Sequence, residues 1–368
     1  MLSFHSLKVA SVDRAAEDAV CVTLAVPPAL REQFHFEAGQ YVTVRRMIDG
    51  REERRTYSIV SAPGSSAIRL GVREQRGGRM SRELAGRVRP GDMLEVGTPA
   101  GRFRTTVDPA RSRSYVAFAA GSGITPVLSL ATDILAREPK SRFTLIYGNR
   151  SMARTMFLED MLALKNRHLG RFSVHFVMSR EPQHTELLNG RIDAAKILEL
   201  ARQFVEISSA DEYFVCGPGQ MTDQVREAVK VLNPEAAVRF ERFTPTPPRP
   251  AAPGDLGSLP QSLQDAATEP RAQEVLSTVS IVMDGRRRSF PMLATDASVL
   301  EAGEHAGLEL PFSCRSGICA TCRAKIVGGK AVMAHNIALE PWEIDAGFVL
   351  CCQATPTTAT LELTYDDK

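Results

Sequence analysis

Residues 314–322 read Cys-Arg-Ser-Gly-Ile-Cys-Ala-Thr-Cys, and Cys352 follows after 29 further residues. The spacing C-x4-C-x2-C with a distant fourth cysteine is that of plant-type [2Fe-2S] sites. Four thiolates must enclose such a cluster while backbone N–H groups donate to its sulfur atoms, so the intervening residues have to be small or flexible. Ser316, Gly317 and Ala320 meet this need. The stretch therefore predicts an iron–sulfur site with Cys314, Cys319 and Cys322 as its first three ligands.

Two questions about this site stay open from spacing alone. Zinc also binds thiolates, but zinc ribbons usually pair two C-x2-C knuckles, and this chain has one. The fourth ligand is either Cys352 or its neighbour Cys351. Five of the seven cysteines lie between residues 314 and 352, and this clustering favours a metal site over disulfides.

The composition excludes several functional classes. The 368 residues favour two or three domains, and the balance of 45 Lys and Arg against 43 Asp and Glu offers no broad positive surface for nucleic acid or anionic lipid. No run of 18 apolar residues occurs, and the N-terminus lacks the regions of a signal peptide. We therefore expect a cytoplasmic protein with neither a nucleic acid nor a membrane as its partner.

The pattern of apolar, polar and turn residues changes along the chain. Short apolar runs between Gly, Pro and charged turns predict a small antiparallel β-barrel in the first hundred residues. From Ser114 onward, strands alternating with helical patterns predict an α/β domain with a parallel sheet. Seven prolines at 244–270 predict an extended linker. A hairpin at Asp284 and Gly285 and a capping box at Ser298 then predict a small α+β domain with a mixed sheet. We place the domains at 1–106, 107–243 and 275–368, with the linker at 244–274.

Three stretches of the α/β domain indicate nucleotide binding. Residues 121–126, Gly-Ser-Gly-Ile-Thr-Pro, form a turn between a strand and a helix whose apolar face starts at Val127, which lets a pyrophosphate approach the helix N-terminus. Residues 147–150 and 216–219 lie at predicted carboxyl ends of strands, where ligands bind in open α/β sheets. Arg150 and Arg154 are either solvated or contact a 2′-phosphate, which would favour NADPH.

Two stretches of the barrel indicate a flavin. Residues 54–58, Arg-Arg-Thr-Tyr-Ser, place cations, an aromatic ring and hydroxyls on one strand, and a flavin needs a cation for phosphate, a flat apolar surface and hydrogen-bond partners. Residues 77–81, Gly-Gly-Arg-Met-Ser, form a second candidate phosphate cradle. Either stretch alone also fits an ordinary strand or loop.

Taken in order, these motifs resemble the ferredoxin-NADP reductase superfamily, at residues 55–58, 78–81, 121–126, 216–218 and 241–243. The block 310–354 similarly resembles plant-type ferredoxins. The resemblance implies a multidomain protein with an antiparallel FAD-binding β-barrel, an NAD(P)-binding parallel-sheet domain and a β-grasp ferredoxin domain. The whole chain is most similar to reductase subunits of bacterial phenylacetyl-CoA epoxidases, at residues 4–7, 145–150, 190–193, 319–322 and 349–353.

The resemblance also implies individual roles. Arg55 would hold the flavin phosphate, Tyr57 would stack along the flavin and Ser58 would lie near its N5 edge. Thr125 and Cys216 would face the nicotinamide, while Glu241 and Phe243 would close the space behind the flavin ring. Ser58, Cys216 and Glu241 are the implied catalytic residues. Gly78, Arg79, Met80 and Ser81 would surround the diphosphate of FAD. The other candidate cofactor contacts are Thr56, Gly121, Gly123, Pro126, Arg150, Arg154, Gly217 and Pro218.

In the ferredoxin part, the resemblance favours Cys352 as the fourth ligand. The chain departs from the family pattern at Cys351, where relatives usually carry Ser or Thr, and this departure could perturb the cluster potential.

The activity implied is transfer of a hydride from NADPH, or NADH, to FAD, followed by single-electron transfer through the [2Fe-2S] cluster to the di-iron oxygenase component of the epoxidase. One alternative is a reductase for a Rieske-type or other hydroxylating oxygenase. An alternative of another class is a redox-sensing module with a decayed flavin site.

Overall fold

The computed structural model describes residues 3–243 and 275–367. Its internal contacts divide the chain into two units, Leu2–Thr244 and the part from Pro245 onward, and each is described by itself. The predicted linker at 244–274 lies outside the described residues.

The larger unit begins with a six-stranded antiparallel sheet. Its elements are β1 (Phe4–Ala16), β2 (Ala19–Ala25), β3 (Tyr41–Ile48), β4 (Arg51–Ser58), β5 (Ala67–Arg73), α1 (Arg79–Gly86) and β6 (Met93–Gly97). The strand order is β4-β3-β6-β1-β2-β5, and a bridge between Ile59 and Leu70 joins the two ends. Apolar side chains such as Val22, Val42 and Leu94 alternate with polar ones and fill the interior. The sheet therefore closes into a barrel.

The same unit continues with a five-stranded parallel sheet between helices. Its elements are β7 (Ser114–Ala120), α2 (Ile124–Arg137), β8 (Arg142–Asn149), α3 (Leu158–Arg167), β9 (Phe172–Met178), α4 (Ala194–Gln203), β10 (Glu212–Gly217), α5 (Gly219–Leu232) and β11 (Ala237–Arg242). The strands are parallel, in the order β11-β10-β7-β8-β9. The chain adds strands on one side of β7 as far as β9 and then continues on the other side with β10, so the order of addition reverses between β7 and β10. Ligands of open α/β sheets bind outside the carboxyl ends of the strands at such a reversal.

Helix α2 differs from the prediction in where it begins and what it buries. It starts at Ile124 rather than Val127, so Thr125 and Pro126 lie in its first turn, where proline is tolerated. It is buried on nearly every side, because it lies between the parallel sheet and the barrel, where the Ser129 hydroxyl donates to the Ser61 carbonyl at 2.9 Å. A single apolar stripe was therefore too narrow an expectation.

The second unit contains a mixed sheet with a helix packed on it. Its elements are β12 (Val275–Met283), β13 (Arg286–Leu293), α6 (Val299–His305), β14 (Arg323–Gly328), β15 (Ala331–Met333), α7 (Pro341–Asp345), β16 (Phe348–Leu350), β17 (Ala354–Pro356) and β18 (Thr360–Thr364). The main order is β13-β12-β18-β14-β16, with β12 and β18 parallel and the other neighbours antiparallel. Strands β15 and β17 form a separate pair.

The hairpin and the helix cap predicted near the start of this unit are both present. Asp284 and Gly285 have φ of 52° and 70°, the left-handed pair that a two-residue hairpin requires. The Ser298 hydroxyl accepts from the Glu301 N–H at 3.3 Å and caps α6. The predicted capping box is incomplete, because the Glu301 carboxylate accepts from Ala297 N–H rather than from Ser298 N–H.

Candidate redox sites

The three predicted catalytic residues come together at the reversal point of the parallel sheet. Ser58 ends β4, and its hydroxyl donates to Glu241 Oε2 at 3.4 Å. Cys216 and Glu241 are register partners on the neighbouring strands β10 and β11. Ser58 and Cys216 are buried, and Glu241 is half-buried. The barrel and the nucleotide domain therefore contribute to one polar cluster.

Burial sets the protonation of this cluster. It raises the pKa of Glu241 to about 7, and the hydrogen bond from Ser58 opposes that rise. Burial also raises the pKa of the Cys216 thiol, and the nearby Glu241 carboxylate adds to the effect. Cys216 is therefore a neutral thiol near pH 7, whereas Glu241 titrates there.

The glycine turn brings two strand ends unusually close. Residues Gly121–Gly123 form a 3-10 turn, and Gly121 has φ of 57°. A Cβ on Gly123 would lie 2.1 Å from the Cys216 carbonyl oxygen, a distance that real contacts do not show. Only glycine at 123 allows this approach of the turn to β10. The turn leads directly into the N-terminus of α2, where the predicted pyrophosphate of the nucleotide would lie.

Other residues predicted for the nucleotide site lie near the glycine turn and Cys216. Thr125 is buried, and its hydroxyl donates to the Ser122 carbonyl at 2.9 Å. Pro218 is the N-cap of α5, and Phe243 N–H donates to the Gly217 carbonyl at 2.7 Å. The bond from Phe243 therefore ties the segment after β11 to the residue that follows Cys216.

The predicted flavin strand presents a cation and a ring on one face. Arg55 and Tyr57 alternate along β4 with Thr56 and Ser58. An ion pair of 3.2 Å joins Arg55 to Glu53, and Arg55 also donates to the Arg54 carbonyl. Tyr57 is half-buried, and burial raises the pKa of its hydroxyl, which stays protonated. The set fits a flavin, since it offers a guanidinium, a ring and hydroxyls.

The start of α1 fits the second predicted phosphate cradle in part. Gly78 is the N-cap, so first-turn N–H groups of this helix have no partner within the helix. Ser81 accepts from Gln75 N–H, and Arg79 donates to the Ile48 carbonyl at 2.6 Å and pairs with Glu53 at 3.1 Å.

The side chain of Met80 is 1% exposed and belongs to the barrel core. Only its backbone N–H is left to meet an anion.

The two arginines predicted to bind a 2′-phosphate differ in burial and in partner, since Arg150 is exposed and Arg154 is half-buried. Arg154 forms an ion pair with Asp18 of the barrel, and Asp18 also pairs with Arg73 at 3.5 Å, so one carboxylate serves two guanidiniums. Arg150 is exposed, and its pKa is lowered chiefly by the neighbouring guanidinium of Arg180. Arg180 N–H donates to the Arg150 carbonyl at 2.9 Å. Sequence reasoning missed Arg180, although it follows β9 just as Arg150 follows β8.

The four predicted cluster cysteines lie as two hydrogen-bonded pairs, Cys314 with Cys319 and Cys322 with Cys352. Within residues 3–243 and 275–367, no three His, Cys, Asp or Glu side chains already converge as ligands of a single metal ion. Paired thiols suit a [2Fe-2S] cluster, which takes four cysteines over two irons.

The loop around Cys314 is shaped to donate to sulfur. The N–H groups of Ser316 and Ile318 each reach its Sγ at 3.4 Å. Together with the Cys319 thiol, they lower the pKa of Cys314 to about 5 in spite of its burial. Gly317 has φ of 75°, and a Cβ there would lie 2.8 Å from the His335 carbonyl oxygen, so glycine is required. The loop therefore fits the group predicted from its spacing.

The two adjacent cysteines face different surroundings. The Cys352 thiol pairs with Cys322 and lies 3.8 Å from the Gln353 amide nitrogen. Cys351 is fully buried in the core, where its thiol meets the Tyr365 hydroxyl and burial raises its pKa to about 12. This geometry agrees with Cys352 as the fourth ligand, which remains a prediction.

Comparison with known proteins agrees with this division of sites. Residues 6–105 match the oxidoreductase FAD-binding domain, residues 118–227 the oxidoreductase NAD-binding domain and residues 281–357 the 2Fe-2S iron-sulfur cluster binding domain. The chain is 38% identical over 369 residues to a subunit of the 1,2-phenylacetyl-CoA epoxidase of Escherichia coli (strain K12), and the match covers 100% of this chain and 99% of that relative. The chain belongs to the ferredoxin-NADP reductase superfamily.

Other relatives of this reductase serve oxygenases too. It is 30% identical over 365 residues to the 3-ketosteroid-9-alpha-monooxygenase ferredoxin reductase component of Rhodococcus rhodochrous, with 98% of this chain and 96% of the relative covered. The predictions of an oxidoreductase with FAD, NAD(P)H and [2Fe-2S] as cofactors are confirmed. The reductase is a component of an oxygenase system, to which it transfers electrons.

Solved structures confirm the fold class. A phthalate dioxygenase reductase matches with a TM-score of 0.59 and 24% identity, over 98% of both chains. An intact type IV self-sufficient cytochrome P450 monooxygenase matches with a TM-score of 0.67 and 22% identity; the reductase is covered over 98% of its length and spans 41% of that longer chain. Among the helices that the structure describes, none combines the length and apolar character needed to cross a membrane.

The arginine pair gives a prediction about nucleotide preference. Arg150→Ala is expected to raise the KM for NADPH about tenfold, because one charge-assisted hydrogen bond to phosphate is lost. The KM for NADH should change little, since NADH lacks the 2′-phosphate. Steady-state kinetics with both nucleotides check this, with exposed Arg202 in the last turn of α4 as the control alanine variant. Equal losses with both nucleotides would count against the assignment.

Proposed function

We propose that this reductase carries electrons from NADPH through FAD and a [2Fe-2S] cluster to the di-iron oxygenase component of a phenylacetyl-CoA epoxidase in phenylacetate catabolism. The observation that carries the partner assignment is the 38% identity to a subunit of the Escherichia coli epoxidase along the full length of both chains. The ferredoxin reductase component of a ketosteroid monooxygenase, at 30% identity, supports the second candidate, a reductase for another hydroxylating oxygenase.

The geometry supports separate roles for the residues that orient the nucleotide and for those that surround the reacting rings. When bound, FAD accepts a hydride from the nucleotide, and the iron–sulfur cluster conducts electrons one at a time. The glycine turn and the Cys216 backbone orient the nucleotide at the carboxyl ends of β7 and β10. Ser58, Cys216 and Glu241 form a polar cluster at the same place, where the nicotinamide and the flavin would meet. Proximity of the two rings then supplies much of the rate.

Two proposals about the nucleotide follow from the charges at this edge. Arg180 and Arg154 both place a guanidinium near the exposed Arg150, and a group of guanidiniums suits a 2′-phosphate. Arg154 also links the nucleotide domain to the barrel through Asp18. NADPH is therefore the proposed donor.

Reconstitution tests the partner assignment. The purified reductase, mixed with the oxygenase subunits of the epoxidase, NADPH and phenylacetyl-CoA under oxygen, is expected to yield the epoxide, and the Cys352→Ala variant serves as the matched control without the last carrier. If the wild-type pair consumes NADPH without forming epoxide, while a hydroxylating oxygenase of another class is driven efficiently, the second candidate replaces the first.

A further inference from the structure

Gly71 of β5 stands between the barrel residue predicted to face the flavin and the helix residue predicted to face the nicotinamide. On one side, the bridge between Ile59 and Leu70 is antiparallel, so its register places Ser58 across from Gly71. On the other side, Gly71 contacts Thr125 in the first turn of α2 and the ring of Phe157 at the start of α3. Gly71, Thr125 and Phe157 are all buried.

The absence of a side chain at Gly71 is what permits this approach. A Cβ there would lie 2.5 Å from Thr125 Cγ2, 2.7 Å from Phe157 Cε2 and 3.0 Å from Phe157 Cζ. Gly71 is not among the glycines with positive φ, so its backbone conformation does not call for glycine. The requirement is for space, and the space is filled by two side chains of the nucleotide domain.

Both side chains are held where they are. The Thr125 hydroxyl donates to the Ser122 carbonyl, which anchors the residue to the first turn. Phe157 has φ of 58° and ψ of 33°, a left-handed conformation that is costly for a bulky residue. Its N–H donates to the Ala15 carbonyl of the barrel at 3.1 Å. A strained residue persists only where the surrounding structure over-determines it.

We propose that the contact of Gly71 with Thr125 and Phe157 is a positioning device that sets the distance between the flavin-binding barrel and the nicotinamide end of the nucleotide domain. Gly71, Thr125 and Phe157 act here as positioning residues, because they determine where the flavin and nicotinamide rings would lie. The inference rests on the proposed NADPH-to-flavin transfer. It predicts that one added carbon atom at Gly71 disturbs hydride transfer more than nucleotide binding.

The test compares alanine at two glycines of the barrel. Gly71→Ala forces its neighbours to shift by roughly 1 Å, and a misplacement of this size can cost on the order of 100-fold in rate. We expect the limiting rate of flavin reduction, followed by stopped-flow at saturating NADPH, to fall at least about tenfold, on the same principle. The charge-transfer absorbance of the nucleotide–flavin complex should weaken, while the half-saturating NADPH concentration changes little. Gly86→Ala is the control, because Gly86 is exposed and nothing lies near its missing Cβ.

A second variant approaches the contact from the other side. Phe157→Leu removes the ring atoms that fill the space, and we expect the same loss of rate and of charge-transfer absorbance. If Gly71→Ala does not retain flavin, the flavin-reduction rate and charge-transfer absorbance of Phe157→Leu test the proposal instead. The proposal is overturned if the flavin-loaded variants reduce at the wild-type rate with undiminished charge-transfer absorbance, or if only the half-saturating concentration moves. Failure of the epoxidase assay leaves flavin reduction measurable, so the two failures are distinguishable.

Discussion

Replacement of Cys352 by alanine is expected to remove the iron–sulfur cluster while the flavin stays bound. Loss of residues that merely support a metal ligand costs about 10–100-fold in metal affinity, so loss of a ligand should exceed that range. The Cys352 thiol pairs with Cys322, as expected of the predicted fourth ligand. Iron content, cluster absorbance and electron delivery to a one-electron acceptor should all collapse, and flavin reduction by NADPH should persist.

Cys351→Ala is the matched control, one residue away in the chain. Its thiol is fully buried beside the Tyr365 hydroxyl, so removing it leaves a small cavity that costs stability rather than a ligand. Iron content should stay near the wild-type value. If instead Cys351→Ala lost the iron and Cys352→Ala kept it, the ligand assignment would be reversed.

Glu241→Ala is expected to slow flavin reduction on the order of 100-fold, as removal of one preorganised polar group from a reacting site typically does. Glu241 accepts the Ser58 hydroxyl at 3.4 Å and adjoins Cys216 in register, at the meeting point of both domains. Stopped-flow reduction at saturating NADPH measures the limiting rate. A wild-type rate in the flavin-loaded variant would refute a role for Glu241 in the transfer.

The same site should give flavin reduction a pH dependence near neutrality. Glu241 has a pKa raised to about 7, so it is neutral below that pH and ionised above it. A negative charge at Glu241 would disfavour delivery of a hydride to a flavin bound beside it, so the rate should fall as pH rises through about 7. Glu241→Gln should flatten the profile. Ser58→Ala should move the midpoint upward, because the hydrogen bond that favours the carboxylate is gone. A wild-type profile that Glu241→Gln leaves unchanged would assign the titration elsewhere.

The cysteine spacing made the ferredoxin domain predictable, because cluster ligation constrains residues that lie close together in the chain. The hairpin at Asp284 and Gly285 was equally accessible, since its left-handed backbone limits which residues can occupy it. The convergence of Ser58, Cys216 and Glu241 followed from family resemblance. Nothing within the chain itself signals that residues 183 positions apart share a hydrogen bond.

The features that sequence reasoning missed depend on contacts between residues far apart in the chain. The ion pair of Arg154 with Asp18 of the barrel has no counterpart in the local sequence pattern, and the role of Arg154 at a 2′-phosphate stays a prediction. Met80 lies inside a binding motif, yet α1 turns its side chain into the barrel core. Gly71 carries no turn or φ signal, because its role depends on Thr125 and Phe157, which are distant in the chain. Long-range packing of this kind leaves no local pattern.

An anaerobic titration of the purified reductase with NADPH tests the central claim most directly, with flavin and iron–sulfur absorbance followed together. Two electrons on the flavin and one on the cluster predict that both chromophores bleach with about three electrons taken up per molecule. A flavin that bleaches while the cluster absorbance stays oxidised, or a protein in which neither responds to NADPH, would contradict the proposed electron path.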